Sequence, residues 1–359
     1  MTWGIMKAWI AFLLILLPWL CLGAQPGNPG QGKIPTGPQG GQGNQGGGGP
    51  PPLIPGSSVT DPKALVPSTA KNANRLALAN QLTLSELLIL RQILLGNEGY
   101  AGKQIGLLAV ASGDFVNEES SRVSTGGLLI AIDKAVFPNL VLGLAGGYSH
   151  SSSSDLSSDS GWGGGYAIYF QGPWYVSETA LGGGDAFTTT RASLGGEAKG
   201  NSSGWFFSNV TQSGFKWKCN SWTIGPFGSL QYSLAGTKGF SESGSLVPVT
   251  VRSTTNGSLT SDAGLELTYD WSAFTFKVSA AWEHEYLDTT SFSVVNIVDI
   301  PASVRTVSSP SLGHDSAVIN CGVSYHMNHR AQISLGYLGQ YGRKNEESNS
   351  VTASIRFSF

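Results

Sequence analysis

The last nine residues of the chain alternate strictly between apolar and polar side chains. The apolar set is Val351, Ala353, Ile355, Phe357 and Phe359, and the polar set is Thr352, Ser354, Arg356 and Ser358. Successive side chains of a β-strand point to opposite faces, so this segment predicts a strand with one apolar and one polar face. Such a strand would be an adhesive edge in a soluble domain. It is typical instead of the last strand of a transmembrane β-barrel, with apolar residues toward lipid and polar residues toward the lumen.

The composition favours a membrane protein over a secreted soluble β protein. Charged residues make up 12% of the 359 residues, which is about half the share usual in soluble domains. A water-exposed surface needs more charge than this, whereas a lipid-exposed surface needs none. The net charge of −2 gives no basic footprint, so we expect no nucleic-acid partner.

Residues 1–24 predict a cleaved secretory signal. Lys7 is followed by the mostly apolar run 8–22, and Gly23 and Ala24 supply small residues for cleavage. A membrane anchor would need about 18 or more apolar residues. We therefore expect export through the Sec translocon.

Two segments separate this signal from the first predicted strand. Residues 25–68 are rich in Gly and Pro and offer little to bury, which predicts a disordered arm. Residues 69–99 predict a helical linker or pore plug, because Thr83 and Glu86 fit a capping box ahead of a leucine-rich run. The helix either packs on a neighbour or enters a pore, and we favour the pore.

From residue 103 onward the sequence predicts twelve strands, many close to the ~9–11 residues with which a tilted strand crosses a bilayer. Their spans are 103–113, 123–135, 140–151, 160–171, 174–187, 200–216, 222–234, 252–270, 274–287, 314–327, 331–341 and 347–359. The alternation is clear in most of them and ambiguous in the fifth and sixth.

The connections between these strands alternate between short and long. The long ones cover residues 114–122, 152–159, 188–199, 235–251, 288–313 and 342–346. Short turns at one end and longer loops at the other are typical of outer-membrane barrels. The fold class we predict is all-β: a 12-stranded antiparallel transmembrane β-barrel over residues 100–359, preceded by a short helix and the disordered arm.

Aromatic residues cluster near the predicted strand ends, where amphipathic rings favour the membrane–water boundary. This set comprises Tyr148, Trp162, Trp174, Tyr175, Trp217, Trp222, Trp271, Trp282, Tyr286 and Tyr325.

The order and spacing of several segments resemble the β-domain of autotransporters, the translocator barrel of type V secretion. Five matching segments begin at Gly146, Gly172, Trp222, Phe240 and Ala281, and the last match is the terminal Phe359. The resemblance implies a barrel in the Gram-negative outer membrane whose N-terminal extension passes through the pore. It also implies insertion by the barrel-assembly machinery, and the signal for this machinery would be Phe359, with Phe357, Ile355 and Val351. The chain departs from the family in having only residues 25–102 in place of a long passenger.

The clusters of polar residues around positions 283–285 and 314–315 do not have the residues or spacing of a catalytic or metal site. Alternation places His284 on the face opposite Glu283 and Glu285, and a nucleophilic site would need such groups within hydrogen-bond reach. His314 and Asp315 are too few ligands for a metal. We therefore expect no enzyme activity, cofactor or metal.

Four charged residues are predicted to face the lumen: Glu266, Lys277, Glu283 and Arg356. Our hypothesis is that Glu283 contacts the linker near residues 97–102. Cys219 and Cys321 lack metal or redox spacing, so we expect them to be unpaired, with a crosslink as the alternative.

The function that these patterns predict is an outer-membrane translocator barrel with the N-terminal segment threaded through it or displayed at the cell surface. The alternative is a stand-alone porin or a surface adhesin that uses loops 235–251 and 288–313.

Overall fold

A computed structural model describes residues 105–118, 121–193, 195–287, 292–298, 300–308, 313–328, 330–344 and 346–359. The predicted signal, arm and helical linker lie outside these residues. The described residues form the strands β1 (Ile105–Glu118), β2 (Ser121–Phe137), β3 (Leu140–Ser152), β4 (Leu156–Gln171), β5 (Trp174–Ser193), β6 (Gly196–Phe215), β7 (Trp217–Cys219), β8 (Trp222–Thr237), β9 (Phe240–Ser241), β10 (Val249–Val251), β11 (Thr254–Trp271), β12 (Phe274–Glu285), β13 (Phe292–Ile297), β14 (Ile300–Ser308), β15 (Asp315–His326), β16 (Ala331–Arg343) and β17 (Glu346–Ser358). Within this part of the chain, no helix is long and apolar enough to cross a lipid bilayer.

Twelve of these strands close into an antiparallel ring, which confirms the predicted fold class. The order around the ring is β1, β2, β3, β4, β5, β6, β8, β11, β12, β15, β16 and β17. The last strand pairs with the first, from Gly106 opposite Ser358 to Glu118 opposite Glu346. The ring therefore has no open edge.

The two ends of the barrel differ. At one end, which we call the turn end, neighbouring strands are joined by short turns such as 172–173 and 272–273, and both Ile105 and Phe359 lie there. At the other end, the loop end, residues 238–253 join β8 to β11 and residues 286–314 join β12 to β15, and these two connections are long as predicted. The other four predicted long connections are wrong, because the strands continue through most of 114–122, 152–159, 188–199 and 342–346 and leave only two or three residues between them.

Apolar side chains cover the outside of the barrel. On β12, the outward-facing Phe274, Phe276, Val278 and Trp282 are exposed, whereas the inward-facing Thr275, Ser279 and Glu283 are buried. Eight of the ten predicted boundary aromatics are also exposed. Trp162 and Tyr175 correct that prediction, because they face inward and are buried.

Several predicted loops contain strands. Residues 188–199 continue β5 and β6 as a tall hairpin, residues 235–251 contain β9 and β10, and residues 288–313 contain β13 and β14. These segments extend past the apolar band, so their backbone pairing continues while the apolar alternation that marks a strand in the sequence is lost.

Strands β9, β10, β13 and β14 form a second sheet beyond the loop end, which we call the rim sheet. It joins the tall β5–β6 hairpin through two backbone hydrogen bonds between Lys199 and Ser243, of 2.8 and 2.9 Å. Its apolar cluster contains Val249, Val251 and Val295, with Phe240 packed against them.

A buried ion pair joins the rim sheet to the tall hairpin. Arg191 of β5 donates from Nη2 to Glu242 Oε2 at 2.5 Å and from Nε to Oε1 at 3.2 Å. The Val249 backbone N–H also donates to Glu242 Oε2, at 3.0 Å. Both charged side chains are at most 6% exposed, so the pair depends on its mutual contacts rather than on water.

Replacing Arg191 by alanine should loosen the rim sheet without unfolding the barrel. The change leaves Glu242 buried and unpaired, which costs about 3–5 kcal/mol. Limited proteolysis should cut within residues 238–253 faster, while the heat-modifiable mobility of the barrel is unchanged. The matched control is Lys199→Ala, whose ion pair with Glu197 is exposed. Equal rates of proteolysis of the two variants would contradict the role of the Arg191–Glu242 pair in holding the rim sheet.

Candidate functional site: the barrel lumen

One half of the lumen wall carries most of the buried apolar side chains, together with a few buried polar ones such as Asp133, Ser177 and Thr179. Inward-facing side chains of β1 to β6, with Ala235 of β8, form a single buried cluster. Its larger members are Leu108, Leu129, Val141, Trp162, Tyr166, Ile168, Phe170, Tyr175, Leu181 and Phe206. Polar residues were predicted to face the lumen, and the apolar side chains of this half correct that prediction.

The large lumenal rings lie over glycines of neighbouring strands. A Cβ built on Gly143 would lie 2.1 Å from Tyr166 Cζ, and one built on Gly147 would lie 2.3 Å from Trp162 Cζ2. Glycine is therefore required at both positions for the rings to lie flat along the wall.

The other half of the wall, from β11 to β17, is polar. Its buried inward-facing residues include Thr260, Glu266, Thr268, Thr275, Ser279, Glu283, Ser316, Asn320, Gln332, Ser334, Gln340, Ser350, Arg356 and Ser358. The lumen thus presents an apolar half and a polar half to whatever occupies it.

A three-residue charge cluster lies near the turn end of the polar half. Glu266 lies 3.0 Å from the Lys216 Nζ and 3.6 Å from the Lys277 Nζ. The Lys216 ammonium also sits 5.2 Å from the centre of the Tyr175 ring, a cation–π contact. The cluster links β12, β11 and the end of β6 across the wall.

A second polar cluster lies near the loop end, around Glu283. Its Oε1 accepts hydrogen bonds from Ser316 Oγ at 2.9 Å, Gln340 Nε2 at 2.6 Å and Arg343 Nη2 at 3.0 Å. Arg343 also approaches Glu346, at 3.9 Å. The positive charge of Arg343 is therefore shared between two carboxylates.

Arg356 lies near the turn end, beside the start of β1. Its Nη2 donates to Asp133 Oδ1 at 3.4 Å and to Oδ2 at 3.3 Å, and Tyr166 donates to the same Oδ2 at 3.0 Å. Gly106 makes room for this contact, because a Cβ there would lie 2.6 Å from Arg356 Nη2. Charge-assisted hydrogen bonds are usually about 2.7–2.9 Å long, so the guanidinium is held loosely.

All four predicted lumenal charges face inward, and they fall into three separate groups rather than one site. Glu266 and Lys277 are in contact, whereas Glu283 and Arg356 lie in the two other clusters. Three of their charged partners were not predicted from the sequence: Lys216, Asp133 and Arg343. Lys216 is the last residue of the predicted sixth strand, in which the alternation of apolar and polar residues is ambiguous. No local sequence pattern indicates that Asp133 contacts Arg356, which lies 223 positions away.

Three of the four predicted assembly-signal residues lie on β17, and Phe359 follows it directly. Val351, Phe357 and Phe359 are exposed on the outer surface, and Ile355 is half-buried there. Their proposed recognition by the assembly machinery stays a prediction.

Of the polar residues considered for catalysis or metal binding, His284, His314 and Asp315 lie outside the lumen, whereas Glu283 and Glu285 are buried. His284 Nδ1 is 2.9 Å from Asp315 Oδ1, and His314 Nδ1 is 2.7 Å from the Glu285 backbone oxygen. No group of three or more His, Cys, Asp or Glu residues in the described ranges could hold a metal ion. Cys219 and Cys321 are both free thiols.

Comparison with protein families identifies the barrel. The model of the autotransporter beta-domain matches residues 112–338, well over half of the chain. The chain belongs to the autotransporter β-domain family. It is therefore an outer-membrane translocator barrel of the Gram-negative type.

Solved structures agree on the fold of this autotransporter barrel. The translocator domain of autotransporter NalP from Neisseria meningitidis matches with a TM-score of 0.62 at 16% identity, over 80% of this chain and 98% of that chain. The beta domain of the Bordetella autotransporter BrkA matches with a TM-score of 0.52 at 15% identity, over 70% and 98%.

One sequence relative is much longer than this chain. An extracellular serine protease of Serratia marcescens is 25% identical over 283 residues, which are 73% of this chain and 26% of the relative. This autotransporter chain thus spans about a quarter of that protein.

Replacing Glu266 by glutamine should destabilise the folded barrel. The change leaves the Lys216 and Lys277 ammonium groups buried without a carboxylate, at a cost of about 3–5 kcal/mol. The urea midpoint of tryptophan fluorescence in detergent micelles should fall. Glu347→Gln, at an exposed position of β17, should leave the midpoint unchanged; an equal effect of both changes would contradict the role of the cluster.

Proposed function

We propose that this barrel is a translocator whose lumen holds the chain's own N-terminal segment, centred on residues 83–98. The observation that carries the proposal is the apolar half of the lumen wall. In a water-filled pore, that half would expose Leu, Ile, Trp and Phe side chains to water. Burying one such side chain contributes about 1.5–3 kcal/mol, so an occupant with apolar side chains is strongly favoured.

The chain itself supplies such a segment. Residues 84–95 contain six leucines and two isoleucines against only four polar residues. The segment lies just before Ile105, which enters the barrel at the turn end. A short connection is therefore enough to bring it into the lumen, where its polar side chains can meet the polar half of the wall.

The remaining organisation follows from this function. A Sec-cleaved signal at 1–24, an arm at 25–68, a linker or plug at 69–99 and a barrel from residue 100 supply the parts that a translocator needs. The barrel-assembly machinery inserts it, with Val351, Ile355, Phe357 and Phe359 as the signal. The barrel catalyses no reaction; the protease activity in the name of the Serratia relative concerns a longer protein, of which this chain covers 26%.

The porin alternative fits the lumen less well, because an open pore would expose the apolar half of the wall to water.

The surface-adhesin alternative has one supporting observation, since the two loops that it requires fold into the rim sheet. Cells that express a variant lacking residues 240–251 should still assemble the barrel but lose adhesion if this alternative holds.

Deleting residues 83–98 should open the pore. Removing the proposed occupant leaves a hydrated path, so planar-bilayer conductance should rise well above that of the full-length protein. The control is deletion of residues 40–55 in the arm, which should leave conductance low. Equal conductance of the full-length protein and the 83–98 deletion would favour the open porin.

Replacing Phe359 by serine should reduce assembly several-fold. The change removes the terminal aromatic of the proposed signal, so less heat-modifiable protein should appear in the outer membrane. Trp271→Ser changes an aromatic residue that is comparably exposed, at 60% against 70% for Phe359, and should assemble better. Equal assembly of both variants would overturn the assignment of the signal.

A further inference from the structure

Among the described residues, Arg356 is the buried charged residue of the lumen with the most side-chain atoms that lack a hydrogen-bond partner. The side chain is 3% exposed. Its Nε and Nη1 atoms have no hydrogen-bond partner among the described residues, although they carry three N–H donors. Its Nη2 has only the long contacts to Asp133, whose carboxylate is shared with Tyr166.

Other buried charges of the lumen are better matched. Arg343 has carboxylates of both Glu283 and Glu346 within 4 Å, and Lys216 and Lys277 both approach Glu266. Asp262 Oδ2 accepts a hydrogen bond from Ser229 at 2.6 Å. One atom each of Asp262 (Oδ1) and Arg343 (Nε) is left without a partner, against two atoms of Arg356. Buried donors without acceptors are costly and rare in folded proteins. The Arg356 site therefore calls for an additional acceptor, and a carboxylate suits a guanidinium best.

The position of Arg356 indicates where that carboxylate comes from. Its Nη2 lies against Gly106, the second residue of β1. The chain preceding Ile105 therefore starts beside the guanidinium. Between residues 87 and 104 the sequence has a single acidic residue, Glu98, seven positions before Ile105. Seven residues reach at most about 25 Å, and Gly96 and Gly99 on either side of Glu98 permit a tight turn.

We propose that Arg356 is the docking site inside the barrel for the carboxylate of Glu98, and that this ion pair fixes the N-terminal segment at the turn end of the lumen. The inference rests on the proposed function, because it requires the segment to occupy the lumen. It places the anchor at Arg356 rather than at Glu283. Glu283 lies nine residues along β12 from the turn end, about 30 Å at strand rise, and its Oε1 already accepts three hydrogen bonds.

A charge exchange in the full-length chain tests the anchor. The variants are Glu98→Arg, Arg356→Glu and the two combined, and each is first checked for heat-modifiable mobility to show that the barrel is assembled. In planar bilayers, each single variant should show open-channel events more than tenfold as often as the unmodified protein. The combined variant should open as rarely as the unmodified protein. Glu86→Arg combined with Arg356→Glu is the matched control, and its channel should still open frequently.

The outcomes separate this inference from the proposed function. If deletion of residues 83–98 opens the channel but the single charge variants stay quiet, or the exchange fails to restore quiet, the segment is in the lumen and the Arg356–Glu98 anchor is overturned. If the deletion itself leaves conductance unchanged, the proposed function fails first. If Arg356→Glu does not assemble, Arg356→Gln and Glu98→Gln replace the charge variants in the test. Both should raise the frequency of open-channel events, and an unchanged frequency in both overturns the anchor.

Discussion

The pairing of the last strand with the first is the constraint on which the rest of the structure depends. In a bilayer each unsatisfied backbone group costs several kcal/mol, so a sheet can stand there only as a closed ring. The ring closes along β1 and β17, and the final bonds join the Ile105 and Phe359 backbones at 3.2 and 2.9 Å. The nine alternating residues at the end of the chain are thus the seam of the barrel.

Closure gives the two faces of every strand opposite roles. Outward-facing positions carry the exposed apolar side chains that meet lipid, and inward-facing positions build the lumen. The lumen wall is not uniform: rings over glycines form the apolar half, and charge clusters near both ends hold the polar half together. This two-sided interior is better suited to a protein segment than to a column of water.

Much of the barrel can be read from the sequence because lipid imposes a period of two. All twelve strands, the short turns and the outward faces of β12 and β17 follow from that period. The inward positions of Trp162 and Tyr175 could not be predicted, since their strands carry glycine or apolar residues on both faces and the period loses its contrast. The rim sheet could not be predicted for another reason: strands outside the bilayer need no apolar face, so they lack the alternation from which strands were predicted.

The site was predicted only in outline. Alternation identifies Glu266, Lys277, Glu283 and Arg356 as lumenal, but not their partners. Those partners come from strands far apart in sequence, as with Arg356 and Asp133, and from Lys216 at the end of β6. Pairing across a closed wall depends on strand order and stagger, which a single sequence does not encode in any local pattern.

Disulfide trapping across the seam tests the central claim most directly. In a chain with Cys219 and Cys321 replaced by serine, Ala111→Cys and Ala353→Cys place two thiols at directly paired, exposed positions of β1 and β17. The account predicts a crosslink within one chain of the membrane-inserted protein, and none when Ala111→Cys is combined with Thr352→Cys, which faces the lumen. Absence of the first crosslink, or its formation only between two copies, would contradict a closed barrel.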